Sequence, residues 1–284
     1  LVFAAILFTN GFHNIHAVTG AVAAFVAMCL LSSAVYVFND IQDVEKDKSH
    51  PRKKLRPIAA GLVSPKMATI LGVSVLALSG VIFVLLGKKA IAIALTYIVL
   101  QLVYNGLGKA VPVLDVFLLA SGFVLRAVLG AAAINVRISA WLLLCTGALA
   151  LLLGFAKRRN EFIIQGENRT ASRASLAGYS QRSLDALVIM AATAAALCYG
   201  IYALQSPTAQ KYPALFITTI FVFYGICRYV LLVFVEDEGG EPETLLLKDK
   251  HMVASVVLFA ISAVVAMSGV DFPLVEFARN GVVK

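Results

Sequence analysis

Residues 39–57, Asn-Asp-Ile-Gln-Asp-Val-Glu-Lys-Asp-Lys-Ser-His-Pro-Arg-Lys-Lys-Leu-Arg-Pro, set an acidic run directly against a basic one. Asn39, Asp43 and Asp47 recur at i, i+4 and i+8. On a helix that turns ~100° per residue they share a face within roughly 80° of arc. Three oxygen donors converging in this way, with Asp40 beside them, suit Mg²⁺, a hard cation that binds through a few carboxylates and the phosphates of a substrate. Lys53 and Arg56, just downstream, suit phosphate oxygens that the metal leaves uncovered. Together these residues point to an enzyme that handles a diphosphate.

Two further clusters sit at predicted helix ends. Lys157, Arg158 and Arg159, followed by Asn160 and Glu161, close a predicted helix over 139–157. Cations are favoured at a helix C-terminus. The triplet reads either as a topology anchor or, beside the acidic cluster, as a second phosphate-binding wall. Tyr104 and Lys109 present a hydroxyl and an ammonium to an anionic group at the membrane surface. Asp115 falls early in an apolar stretch, where a lone carboxylate is costly and usually has a task. Arg126, eleven residues on, is expected to pair with another helix or to line a polar cavity.

The elements that must position these groups are membrane helices. The chain has 284 residues, 60% apolar and 14% charged. Nine apolar stretches emerge, over 1–10 (short), 19–38, 67–86, 90–106, 112–134, 139–157, 183–204, 213–235 and 252–270, most of them close to the ~20 residues that span a bilayer. The expected fold is therefore an all-α polytopic membrane protein, a single integral membrane domain over 1–284 with about nine transmembrane helices. The chain opens on Leu1 rather than Met, and its N-terminus reads as truncated.

The net charge of +8 is distributed by side of the membrane, which excludes nucleic acid as its explanation. Sixteen Lys and Arg fall in the loops 39–66, 105–111, 157–182 and 236–251, and six fall on the opposite side. By the positive-inside rule the richer side is cytoplasmic. That places the candidate site on the cytoplasmic face of the membrane. Cys29, Cys145, Cys198 and Cys227 are scattered through apolar spans and read as buried free thiols. Gly122, Gly130, Gly147 and Gly154 leave room for close helix packing, within the chain or in a homo-oligomer.

At these residues the chain resembles the UbiA superfamily of intramembrane prenyltransferases. Asn39, Asp43, Asp47, Arg56 and Pro57 match its Asn-Asp-x-x-Asp-x-x-x-Asp motif and downstream Arg-Pro. The resemblance implies a UbiA-like bundle with a central cavity open to the cytoplasmic side. Members usually carry a second acidic motif between the sixth and seventh spans. Here Lys157 through Glu161 stand in its place, with Glu161 the sole acid of that short motif. With residues 31–36, Tyr104 through Asp115, the segment around Ser180, and Gly240-Glu241-Pro242 to Lys248-Asp249, this departure resembles the decaprenyl-phosphate phosphoribosyltransferase branch. That branch transfers 5-phosphoribosyl from phosphoribosyl diphosphate to a polyprenyl phosphate, for arabinan and arabinogalactan synthesis in the cell wall. Such chains usually begin with a basic, Trp-containing segment upstream of a stretch like residues 1–8.

The chemistry separates this branch from its nearest rival, a UbiA-type prenyltransferase acting on a small aromatic acceptor. Both reactions need a metal-clamped diphosphate leaving group in a site shielded from water. An aromatic acceptor brings little negative charge, whereas phosphoribosyl diphosphate and a lipid phosphate bring two further phosphates. Lys157, Arg158 and Arg159 fit those phosphates better than a second metal-bound diphosphate. Implied roles follow. Asn39, Asp40, Asp43 and Asp47 hold Mg²⁺, and Lys53 and Arg56 neutralise the leaving group. Tyr104 and Lys109 orient the acceptor phosphate, and Glu161 binds ribose hydroxyls or assists the metal. A transporter of an anionic solute is a distant third reading, since it would spread charge toward mid-membrane.

Overall fold

The computed structural model describes residues 1–9, 14–48, 53–166, 173–235 and 242–268. Among them the regular structure is entirely helical, in the order α1 (Ala4–Thr9), α2 (Ile15–Gln42), α3 (Val44–Lys48), α4 (Pro65–Leu86), α5 (Lys88–Gly106) and α6 (Leu114–Ala133). There follow α7 (Ala140–Gln165), α8 (Gln181–Gln205), α9 (Pro207–Lys211), α10 (Thr218–Val235), α11 (Pro242–Lys248) and α12 (Lys250–Met267). Short 3₁₀ turns cover Lys53–Leu55, Gly108–Ala110, Ala174–Gly178 and Pro213–Ile217.

Eight helices among the described residues are long and apolar enough to cross a bilayer. The ninth expected span, 1–10, is represented by the six-residue α1. The long helices expose large apolar side chains outward, among them Leu85, Ile70, Leu197 and Ile220. In water such a surface would be an aggregation liability. In lipid it is the required solvent-facing side, because helices satisfy their own backbone groups. The chain is a multi-pass integral membrane protein. All four cysteines are free, but Cys29 and Cys227 are exposed rather than buried.

Helix ends are set locally. Asn14 caps α2 by accepting from the backbone N–H groups of His16 and Ala17. Ser64 caps α4 ahead of Pro65, and Gly87, at φ 95°, ends it. Ser180 and Ser183 form a reciprocal capping box on α8, and Asp249 caps α12. Small polar oxygens at these positions satisfy the orphan donors of a first turn.

The chain divides into two compact units. The first comprises residues 1–106 and 125–137. Its core joins Ala24, Ala27, Met28 and Leu31 of α2 to Phe83 of α4, Ala94 and Tyr97 of α5, and Leu129 of α6. The alanine face of α2 allows close approach, and the buried Ser79 hydroxyl donates to the Ala27 carbonyl at 2.9 Å. Gly130 lies so close to the Val2 carbonyl that a Cβ would collide with it. The second unit comprises residues 107–124 and 138–284. Its core joins Val116 of α6, Leu152 and Phe155 of α7, Val188 and Ala191 of α8, Tyr229 and Leu232 of α10, and Met252 of α12. Gly154 admits Val116 and Gly147 admits Val124, so these small residues serve packing within the chain.

Candidate active site

In the first unit the acidic motif continues the last turn of α2. The apolar stretch expected over 19–38 belongs to a helix that runs on to Gln42 and carries Asn39 and Asp40. Asp43 caps that helix, and its N–H donates to the Asn39 carbonyl at 2.9 Å. The Asp47 N–H then donates to the Asp43 carbonyl at 2.9 Å. The i, i+4, i+8 ladder inferred from spacing thus persists across the small break between α2 and α3.

Arg56 closes the cluster. Its Nη1 donates to Asp40 Oδ1 at 2.7 Å and to Asp47 Oδ2 at 2.8 Å. Two carboxylates from different turns therefore converge on one cationic atom. Asp40 is also within electrostatic reach of Asp43 and Lys53. Lys53 opens the 3₁₀ turn that delivers Arg56, whose N–H donates to the Lys53 carbonyl at 2.9 Å. Asn39 is held from α5, where the Asn105 amide donates to its Oδ1 at 2.9 Å. Tyr104 lies beside Asn105 on the same helix and is half-buried.

Among the described residues no three His, Cys, Asp or Glu side chains form a ready-made metal cage. Mg²⁺ seldom uses one, keeping waters and substrate phosphates among its ligands. The donor set fits such an ion. Asp40 and Asp47 already gather around a positive charge, with Asn39 and Asp43 on the same ladder. Two helical turns deeper in the unit, the Ser32 and Tyr97 hydroxyls lie 3.2 Å apart. The Arg126 guanidinium lies over the Tyr97 ring and donates to both hydroxyls. The expected polar pairing of Arg126 with other helices is what the unit contains.

The second unit contains a buried ion-pair network. Asp115, fully buried in the first turn of α6, accepts from Arg158 Nε at 2.7 Å, the Ser175 hydroxyl at 3.0 Å and the Tyr179 hydroxyl at 3.1 Å. Arg158 also donates to Glu161 at 2.8 Å. Arg173 approaches Glu161 at 3.3 Å and Asp115 at 3.8 Å. The Tyr179 hydroxyl in turn accepts the Val113 N–H. Burial above all, with the Asp115 charge adding to it, pushes this phenol up to about 12, while the Val113 hydrogen bond pulls it partly back. Val113 itself sits at φ 67°, a left-handed conformation costly for a β-branched residue. Lys109 lies on the 3₁₀ turn just before it and is half-buried.

Helix α7 runs to Gln165, past the expected end at 157, so the basic triplet lies within the helix. Lys157 is exposed, while Arg158 and Arg159 point inward and are buried. Arg159 donates to Asp185 and to the Val233 carbonyl, both at 2.7 Å, and packs on the Phe234 ring. Arg228 and Asp249 form a two-pronged pair at 3.2 and 2.6 Å, which holds the Asp249 carboxyl down at about 2. Residues Ser49–Arg52, Arg169 and Gly239–Glu241, also part of the sequence reading, lie outside the described residues.

Asn105, Ser175 and Asp185 were not singled out from the sequence. Asp185 carries the signal that marked Asp115, a carboxylate early in an apolar stretch. Asn105 and Ser175 carry none, since an amide or hydroxyl at a helix end is commonplace.

A family model described as the UbiA prenyltransferase family matches residues 1–248. The chain is 35% identical over 248 residues to a Corynebacterium glutamicum protein named decaprenyl-phosphate phosphoribosyltransferase, covering 86% of this chain and 74% of that relative. A Mycobacterium tuberculosis protein of the same name is 32% identical over 252 residues, covering 86% and 80%. Among solved structures, a UbiA homolog from Archaeoglobus fulgidus bound to GPP and Mg²⁺ superposes with a TM-score of 0.73 at 15% identity, over 94% of each chain. The apo structure of a UbiA homolog from Aeropyrum pernix K1 gives 0.62 at 17% identity, over 92% and 96%. At such identities these structures speak to the fold.

Proposed function

This chain belongs to the UbiA prenyltransferase family, and we propose that it transfers 5-phosphoribosyl from phosphoribosyl diphosphate to a polyprenyl phosphate, releasing diphosphate. The observation that carries this reading is the 32–35% identity, over most of both chains, to proteins named for that reaction. The charge pattern agrees. Where a second diphosphate site would need acids, the second unit has arginines balanced by Asp115, Glu161 and Asp185.

In this reading Asn39, Asp40, Asp43 and Asp47 would hold Mg²⁺. When bound, the ion supplies charge neutralisation for a diphosphate leaving group. Arg56 gives up its place between Asp40 and Asp47 and, with Lys53, meets the negative charge that grows on the departing oxygens. Tyr104 and Lys109 orient the acceptor phosphate. One of its oxygens attacks C1 of ribose, the C1–O bond to diphosphate breaks, and the bonding pair leaves with diphosphate. The attacking phosphate is already anionic at neutral pH, so no side chain has to remove a proton. Lys157 offers an exposed cation to a second phosphate, whereas Arg158 and Arg159 act by holding α7 against Asp115 and Asp185. Glu161 is counter-ion to Arg158 and Arg173. The candidate site faces the cytoplasm of a bacterial plasma membrane, on the cation-rich side.

A donor swap tests the reading. Purified protein is given Mg²⁺ and either phosphoribosyl diphosphate with a polyprenyl phosphate or a polyprenyl diphosphate with an aromatic acceptor. Mass spectrometry should find a lipid heavier by one phosphoribosyl unit in the first mixture. A prenylated aromatic product from the second mixture, with no change in the first, would refute it.

A further inference from the structure

Of the four side chains on the acidic ladder, Asn39, Asp40, Asp43 and Asp47, only Asn39 has two unlike ends. A carboxylate offers oxygen whichever way it turns. An amide offers a carbonyl oxygen at one end and two N–H donors at the other. A hard cation takes the oxygen and is repelled by the N–H end. Asn39 can therefore serve a metal ion only where a neighbour fixes the direction of its amide.

The first unit supplies that neighbour. The Asn105 amide donates to Asn39 Oδ1 at 2.9 Å, and both side chains are half-buried. The bond occupies one lone pair of Oδ1 and leaves the second for a ligand. It also belongs to a seam in register. On α2, Ser32 precedes Asn39 by seven residues, ~10.5 Å along the axis and within ~20° in phase. On α5, Tyr97 precedes Asn105 by eight residues, ~12 Å along the axis. The Ser32 and Tyr97 hydroxyls lie 3.2 Å apart, so two polar ties of nearly equal spacing set α2 against α5. Asn105 is the penultimate residue of α5, which puts the second tie level with the ladder.

The two holds on the ladder differ in kind. Arg56 brings a positive charge to Asp40 and Asp47, and so competes with a metal ion for their oxygens. Asn105 is neutral, and its bond to Asn39 can persist beside a bound cation.

We infer that Asn105 is a positioning residue, which orients the Asn39 amide so that its oxygen faces a divalent cation on the ladder. The inference rests on the metal-binding role proposed for the ladder and holds for any diphosphate donor.

A double-mutant cycle on the purified protein tests it, with the complex of Mn²⁺ and inorganic diphosphate as the probe. Binding is read from the electron paramagnetic resonance of Mn²⁺ and needs no turnover. The set is the parent protein, Asn105→Ala, Asn39→Ala and the double variant. Asn105→Ala should weaken binding by at least ~10-fold, the scale on which residues that orient metal ligands act. In the Asn39→Ala background the same change should alter affinity by less than ~2-fold, because no amide is left to orient. A full loss in that background would make Asn105 a contact in its own right and overturn the inference. Unchanged affinity in Asn105→Ala would overturn it too, leaving the Asn39–Asn105 bond a tie between helices that is visible only in the melting temperature. Asn105→Ser, which keeps a donor on a shorter arm, should lose less than Asn105→Ala and carries the cycle if the alanine variant folds poorly. Failure of the parent protein to bind the probe would remove the ladder's metal role and this inference together. A failed donor swap beside an intact cycle would remove the proposed substrate alone.

Discussion

Asp47 and Asp115 are both buried carboxylates paired with arginine, yet their removal should have opposite consequences. Arg56, the partner of Asp47, is 41% exposed and can be hydrated when the acid is gone. Arg158, the partner of Asp115, is 1% exposed and cannot. Asp47→Ala should therefore keep its melting temperature and lose at least ~100-fold in turnover, the scale of removing an electrostatic stabiliser. Asp115→Ala should lose ~3–5 kcal/mol of stability, the cost of breaking a buried pair, read as a fall in melting temperature and yield. Tyr179 adds a pH signature. Its phenol is raised from 10.0 to about 12 in the folded protein. Above pH 10 the unfolded chain releases that proton and the folded one keeps it, so stability falls as pH rises from 10 toward 12. Tyr179→Phe should flatten part of the decline, and the difference between the two melting curves isolates this hydroxyl. The spacing of Asn39, Asp43 and Asp47 made the acidic ladder legible in the sequence. That Arg56 would sit between Asp40 and Asp47 was not, because it depends on where the 3₁₀ turn Lys53–Leu55 lies against α2 and α3.

At the scale of elements, helical phase explains what the sequence reading placed well and what it misplaced. Apolar runs located the eight long helices to within a few residues, since each must present an uninterrupted apolar surface to lipid. Polar ends were harder to fix, and α2 and α7 both run several residues past their apolar stretches. The basic triplet shows the consequence. Three consecutive residues on a helix fan across ~200°, so Lys157, Arg158 and Arg159 could share one phosphate-facing wall only beyond a helix end. Inside α7, one faces out and two face in. The join between two loops was equally hidden, because the fit of Gly178 against Pro112 links segments more than sixty residues apart. Gly178→Ala should force the 107–113 segment aside, costing ~1–3 kcal/mol as overpacking and raising the apparent KM for a phosphate substrate. Gly80→Ala is the matched control, since a Cβ there meets nothing within 4 Å. It should hold or slightly raise stability through better helix propensity and leave KM unchanged.

For the whole molecule, the distribution of charge makes a prediction independent of any residue's chemistry. The turn between α4 and α5 is a single residue, Gly87, at φ 95°. These two helices therefore form a tight hairpin, and Lys88 lies at the opposite membrane face from the cation-rich stretch that contains Lys54. Sixteen cations against six favour the Lys54 side as cytoplasmic, because lysine and arginine resist translocation. If the acidic ladder acts on phosphoribosyl diphosphate, a soluble and highly charged donor, it has to open to the compartment that makes that donor. Topology and function are thus coupled. Cysteine reporters at Lys88→Cys and Lys54→Cys, both at exposed positions and placed in a chain whose own four cysteines are replaced by alanine, read this directly. A membrane-impermeant maleimide added to intact spheroplasts should label the residue 88 reporter at once and the residue 54 reporter only after permeabilisation. The reverse pattern would put the acidic ladder outside the cell, away from any cytoplasmic donor, and would count against the proposed substrate even if the fold and the ion pairs stood unchanged.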